Sequence, residues 1–248
     1  MQKKLSVEIV IPVYNEEVEL KEHVLKLHQF CKENLKVYNW HITIADNAST
    51  DSTPRIGEQL AHEYKEIDVL RLNQKGRGRA VKTAWKESGA DICCYMDIDL
   101  STDLKHLPQL ISAIENGSDI AIGSRLLPQS KVSNRTAMRE FISRSLNILI
   151  QLMFFVSISD VQCGFKGVSK NTVKELLPHI KDNEWFMDSE LLIVGEKSRY
   201  TISQIPLVWR DNPGSTVRVL PTVMGDMKGL LRLLIQQPWK KLHRPVHL

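Results

Sequence analysis

The sequence predicts an α/β domain built on a mostly parallel sheet, and three observations carry that prediction. Short apolar runs rich in Val and Ile alternate with amphipathic stretches of helical period along the first half of the chain. The composition, 42% hydrophobic and 25% charged over 248 residues, is that of a globular protein able to bury a full core. Each apolar run ends in a polar or glycine-rich cluster, as in open sheets whose ligands sit at the carboxyl ends of the strands.

Residues 6–13 (SVEIVIPV) form a nearly continuous apolar run closed by Pro12 and polar Tyr14-Asn15-Glu16, which reads as a buried parallel strand. Residues 17–32 carry Leu20, Val24, Leu27 and Phe30 at spacings of three or four, the signature of a helix with one buried face. The alternation continues with a strand at 40–45, a helix at 53–64 opened by Asp51-Ser52-Thr53-Pro54, and a strand at 67–72. A helix at 78–88, a strand at 92–96, a helix at 104–116 and a strand at 119–122 follow. Beyond Arg125 the texture changes to a loop at 126–135 and one long helix at 136–158. The segment 160–166 carries no element assignment; helices follow near 171–179 and 188–198, a strand at 201–208, a loop at 210–215, a helix near 223–235 and a basic tail.

The formal charge of +4 permits anionic partners, whether nucleotides, phospholipid surfaces or nucleic acid, without selecting among them. The four cysteines lack the paired spacings of a zinc site and are too few for a disulfide framework, so a reducing, cytosolic setting is expected. The N-terminus runs directly into a strand pattern without a signal-peptide apolar region, and secretion is not expected. The most apolar stretch, 146–158, includes Asn147, Gln151 and Ser157 and falls short of the ~20 apolar residues of a membrane span, so no transmembrane helix is expected.

The chemistry-bearing residues lie at the strand ends. Asp97 and Asp99 follow the apolar run at 92–96 with one residue between them, and two hard carboxylates suffice for a divalent ion whose other ligands are phosphate and water. Asp46, directly after a second apolar run, suits hydrogen bonds from a base, whereas Asp51 reads equally as a helix cap. Lys75-Gly76-Arg77-Gly78-Arg79 opens a helix and suits an anion cradle. No glycine fingerprint of a dinucleotide fold follows the first strand, which disfavours a nicotinamide dehydrogenase.

In this order, Ile11-Pro12-Val13-Tyr14-Asn15-Glu16, Asp46-Asn47-Ala48-Ser49-Thr50-Asp51, the 73–80 segment and Asp97-Ile98-Asp99-Leu100-Ser101 resemble the family 2 glycosyltransferases of the GT-A fold. The resemblance implies a Rossmann-like three-layer sandwich, with Pro12, Tyr14, Glu16 and Asp46 around the nucleotide. Lys75, Gly76, Arg79 and Asp97 complete that implied donor site, and Asp97 and Asp99 serve a Mg2+ or Mn2+ ion. Gly123-Ser124-Arg125, residues 139–144, Asp160 to Lys166, and Trp209 with Gly214-Ser215 further resemble the dolichyl- or polyprenyl-phosphate sugar synthases. Ile98 departs from the alanine usual there. The implied organisation is a catalytic domain at 1–217 and, at 218–248, a helix with a basic tail suited to membrane contact. The implied partners are a nucleotide sugar, UDP-glucose by preference from residues 209–218 and GDP-mannose otherwise, and a polyprenyl phosphate. No nucleic acid is implied, and peripheral attachment to the cytoplasmic face of a membrane is expected.

A phosphate acceptor changes which residues matter, because its second pKa of about 6 leaves it anionic and in need of cations rather than a base. Arg125, Arg139 and Arg144, with Ser215, are the expected acceptor contacts, and the three arginines together with Asp99 are the expected catalytic groups. Arg139 and Arg144 stand about 140° apart on a helix, so Arg125 with one of them is the expected pair. Phe141, Leu146, Leu149, Ile150, Met153, Phe154 and Phe155, with Trp239, Lys240, Lys241 and Arg244, supply an apolar and basic landing surface for lipid. A transferase acting on a sugar hydroxyl would instead need a base, for which Asp188 or Glu190 qualifies. A nucleotidyltransferase would carry a glycine-rich basic loop where this chain has Tyr14-Asn15-Glu16, and a non-catalytic nucleotide binder would not require both aspartates.

Overall fold

In the computed structural model, which describes residues 4–211 and 219–242, the predicted strands and helices of the first half all form. Strand β1 (Ser6–Val13) lies between β2 (Asn39–Asp46) and β4 (Ile92–Met96), with β3 (Ile67–Arg71) outside β2, and all four run parallel. The sheet continues through β7 (Phe165–Ser169), β5 (Ile120–Ser124) and β8 (Ile202–Pro206), in the order β3-β2-β1-β4-β7-β5-β8. Strand β7 is antiparallel to both β4 and β5, whereas β8 is parallel to β5.

Period-2 burial on both faces makes this sheet the middle of three layers. Val7, Ile9, Ile11, Ile42, Ile44, Cys94 and Met96 pack beneath α1 (Leu20–Asn34), α2 (Thr53–Glu63) and α4 (Leu107–Glu115). Val10, Tyr95, Ile120, Ile122 and Val168 face the opposite layer, to which α3 (Arg77–Ser88), α5 (Ala137–Phe154), α7 (Met187–Lys197) and α8 (Val219–Gln236) contribute. The short α6 (Lys170–Glu175) follows β7 directly. Leu230 and Leu233 of α8 are fully buried, a gross contribution of about 3–6 kcal/mol toward docking that helix. Gly229 lets α8 approach Phe186, whose ring a Cβ would meet at 2.2 Å.

Three differences from the sequence reading have physical causes. Residues 165–169 (FKGVS) form a central strand although they lack an apolar run, because Lys166 sits fully buried in an ion pair and Gly167 admits the Cys94 thiol. The 126–135 loop contains β6 (Lys131–Ser133), which pairs with β9 (Val208–Arg210) in a second, two-stranded sheet. Helix α5 ends at Phe155, which turns into the left-handed region at φ 54°, rather than continuing to 158. The four cysteines are free and buried. Among the described residues no helix is long and apolar enough to cross a membrane.

Candidate active site

The order β2-β1-β4 places a crevice between the carboxyl ends of β1 and β4, the place where open α/β sheets bind ligands. Pro12 has no N–H to give, and the β1–β4 ladder ends at Val10↔Tyr95, which leaves the strand ends parted. The loops after β1 and β2 are laced together: Asn15 N donates to Ser49 Oγ at 2.9 Å, Thr50 N to Asn15 Oδ1 at 2.8 Å, and Glu16 N to Thr53 Oγ1 at 2.7 Å. Asp51 therefore acts as a local organiser, accepting from Thr53 N and Glu17 N.

Within this frame Asp46 is buried, and its Oδ1 accepts from Ser49 N at 3.1 Å. Its Oδ2 has no hydrogen-bond partner among the described residues; Arg71 Nε, at 3.9 Å, is beyond hydrogen-bonding reach. A buried unmatched acceptor is costly unless a ligand supplies the donor. Lys75 lies over the Tyr14 ring, 3.9 Å from its centre, and donates to its hydroxyl. Burial pushes the Glu16 carboxyl up to about 7, reinforced by the charges of Glu19, Asp99 and Asp51.

The basic loop before α3 is built differently from an open anion cradle. Gly76, at φ 146°, donates its N–H to Asn47 Oδ1 at 2.6 Å, and Arg79 N donates to Asn183 O at 2.9 Å. Cβ atoms at Gly76 and Gly78 would stand 2.5 Å from Asn183 O and 2.6 Å from Met187 Cβ, so the glycines serve close packing on the 183–187 segment. Arg77 turns inward and binds Asp97 Oδ1 at 2.6 Å and Asp188 Oδ2 at 2.7 Å.

Asp97 and Asp99 line one small cleft with Met96, Ser101, Thr102, Gly164 and Trp209. Because β7 runs antiparallel, its start lies beside the end of β4, and this brings Gly164 against Asp97, with Asp97 N donating to Gly164 O. Asp99 accepts from Ser101 N and Oγ, and its pKa is raised by burial and then by the negative charge of Asp97. These two hard carboxylates, close enough to repel, fit a divalent cation whose remaining ligands come from diphosphate and water. Among the described residues no cluster of three or more His, Cys, Asp or Glu side chains forms an all-protein metal cage.

Beside Trp209 begins a group of arginines. Arg125 stacks 5.0 Å from the Trp209 ring and grips Asp160 through Nε at 2.7 Å and Nη2 at 2.9 Å, leaving Nη1 without a hydrogen-bond partner among the described residues. Arg139, on the first turn of α5, stands 3.8 Å from Asp211. Arg144 is exposed and pairs with Glu140 at 2.6 Å. Arg135, which sequence reasoning passed over as loop, joins the group: burial and the neighbouring Arg125 lower its pKa, and Glu140 lies 3.1 Å from its Nη1. Ser215 lies outside the described residues. Asp188 is held by Arg77, Lys166 and Tyr95, and Glu190 by Arg232 and Asp182 N. The sequence motifs include Arg77 in the 75–79 cradle and Lys166 in the 160–166 segment, but not their buried ion pairs, because a buried cation breaks the apolar pattern that reveals core positions; the glycines around Arg77 were the available signal.

The architecture, a mostly parallel three-layer sheet with carboxylates at its carboxyl edge, defines the GT-A class. Glucosyl-3-phosphoglycerate synthase from Mycobacterium tuberculosis, in complex with Mn2+, UDP-glucose and phosphoglyceric acid, superposes with a TM-score of 0.67 at 14% identity over 98% of this chain and 82% of that one. Staphylococcus aureus TarS gives 0.61 at 16% identity over 93% and 64%.

Residues 8–177 match the profile of glycosyl transferase family 2, and the chain belongs to that family. Among curated relatives, glycosyltransferase AglD of Haloferax volcanii is 30% identical over 92% of this chain and 37% of its own length. Dolichol-phosphate mannosyltransferase of Pyrococcus furiosus is 31% identical over 83% of this chain and 56% of its own. Dolichyl-phosphate beta-glucosyltransferase of Saccharomyces cerevisiae is 28% identical over 86% and 69%. The chain thus spans just over a third of the length of the first of these relatives.

Proposed function

We propose that this chain transfers a hexose from a nucleotide sugar to a polyprenyl or dolichyl phosphate, with inversion at the anomeric carbon. One observation carries the reading: the carboxylate cleft and the arginine group share the Trp209 wall, while Asp188 and Glu190, the bases a hydroxyl acceptor would need, are locked in buried ion pairs. An acceptor that arrives ionised needs the arginines and no base. The names of the yeast and Pyrococcus relatives support the same substrate class.

In this reading Pro12, Tyr14, Glu16 and Asp46 surround base and ribose, with Asp46 Oδ2 accepting from the ligand. Lys75 stands at the diphosphate, and Gly76 and Arg79 hold that loop on the 183–187 segment. Asp97 and Asp99 would hold Mg2+ or Mn2+, which when bound would supply positive charge to stabilise the departing diphosphate. Arg125 and Arg139 receive the acceptor phosphate, the planar guanidinium matching its oxygens as a lysine cannot. UDP-glucose is the favoured donor and GDP-mannose the second. Helix α5 and the Trp239-Lys240-Lys241 turn rest on a membrane face, where the lipid tail lies.

The test compares a short polyprenyl phosphate with the corresponding free polyprenol, reading release of UDP or GDP. Nucleotide release that depends on the phosphate supports the reading. Equal release with the alcohol, or release only with a sugar acceptor, overturns it.

A further inference from the structure

Behind Asp97 lies a buried ion network that the transfer chemistry itself does not touch. Arg77, Lys166 and Asp188 are 7%, 0% and 3% exposed. Asp188 takes Arg77 Nη1 at 2.7 Å on one oxygen, and Lys166 Nζ at 3.0 Å with the Tyr95 hydroxyl on the other. Arg77 also donates to Asp97 Oδ1, through Nη2 at 2.6 Å and Nε at 3.3 Å. Its guanidinium lies 5.0 Å from the centre of the Tyr95 ring and 4.9 Å from that of Trp185. Two cations and two carboxylates balance, as buried ions must. A Cβ at Gly164 would stand 1.7 Å from Asp97 Oδ2, so the carboxylate is gripped through Oδ1 on one side and bounded by β7 on the other.

The geometry points to Arg77 as the positioning residue of the donor site and to Asp188 as its anchor, not as a proton acceptor. Arg77 fixes Asp97 Oδ1 and so leaves Oδ2, beside Gly164 in the cleft lining, for the donor diphosphate and its cation. Asp188 has both oxygens occupied and no route to an acceptor proton. Lysine at position 77 would keep the charge but could not fork to Asp97 and Asp188 together. This inference rests on the reading of Asp97 and Asp99 as donor-site carboxylates.

The experiment is calorimetric titration of UDP and of GDP, each with and without Mn2+, on the parent protein, Asp99→Ala and Arg77→Lys, with no acceptor present. The parent should show Mn2+-dependent nucleotide binding that Asp99→Ala abolishes. Arg77→Lys should unfold cooperatively and weaken the Mn2+-dependent binding by about 10–100-fold, the usual effect of losing a group that orients a metal ligand. Parent-like binding by Arg77→Lys overturns the Arg77 assignment alone. Absence of Mn2+-dependent binding in the parent, or its survival in Asp99→Ala, overturns the donor reading and this inference with it. A second variant addresses the anchor: Asp188→Asn should weaken the same binding and keep the shape of the kcat/KM pH profile. Unchanged binding with kcat down by ~10²–10⁴ and a lost acidic limb makes Asp188 a base and overturns the anchor role. Should Asp188→Asn lack a cooperative unfolding transition, the Arg77→Lys titration decides.

Discussion

A methyl group at position 164 would meet Asp97 Oδ2 at 1.7 Å, so Gly164→Ala must displace either the carboxylate or the start of β7. We expect a stability loss of about 1–3 kcal/mol by denaturant unfolding and a fall in kcat/KM of at least ~10-fold, as for other losses of ligand orientation. Asp99→Ala should abolish Mn2+-dependent turnover, and turnover unchanged from the parent would remove the metal assignment. Asp226 gives a pH test. It is buried on α8, accepts from Gln162 Nε2 at 2.7 Å, and burial pushes its pKa from 3.8 up to about 6, helped by Asp182 and Asp188. A raised carboxyl pKa means the folded state holds the proton more tightly, so its contribution to stability is complete below about 4 and lost as pH rises through about 6. Asp226→Asn should therefore stabilise the protein at pH 7–8 by about 1–3 kcal/mol and change little at pH 4. Asp46, Asp97 and Asp99 were visible in the sequence because each ends or closely follows an apolar run; Arg77 was visible only as part of the 75–79 cradle, and its inward turn toward Asp97 and Asp188 was not.

At the scale of elements, α5 has one buried face and one exposed apolar stripe. Ser143, Asn147, Ile150 and Phe154 face the core, whereas Met138, Phe141, Ile148, Leu152 and Phe155 are exposed. The sequence had offered Ile150 and Phe154 as lipid contacts, but they are core; Leu146 and Met153 pack partly against it, and the exposed stripe adds Met138, Ile148 and Leu152. Hydrophobic period alone cannot assign faces on a helix whose buried side carries Ser143 and Asn147 and whose exposed side carries Phe141 and Leu152. If the stripe meets lipid, Phe141→Glu with Leu152→Glu should reduce flotation with anionic liposomes at least ~5-fold, each charge opposing apolar insertion. Undiminished flotation would remove α5 from the contact. Strand β7 shows the converse difficulty: its lysine and glycine hide a central strand whose fit depends on Asp188 and Cys94 from distant segments.

Over the whole molecule, the parallel half of the sheet was legible because strands buried on both faces leave continuous apolar runs, and their polar ends mark the ligand edge. The β7-β5-β8 half was less so, since antiparallel insertion and the β6-β9 ribbon follow from long-range pairing that no local pattern announces. The segments beside that half supply Gly164 and Asp160, and β9 supplies Trp209, which lines the Asp97–Asp99 cleft and stacks on Arg125. The central claim is transfer to a lipid phosphate, and the most direct measurement is the mass and anomeric configuration of the lipid formed from a short polyprenyl phosphate and a panel of sugar nucleotides. The account predicts a hexose joined through phosphate, inverted relative to the donor and formed best from UDP-glucose. A product of retained configuration would contradict the direct displacement, and the absence of any glycosylated lipid phosphate across the panel would contradict the claim itself.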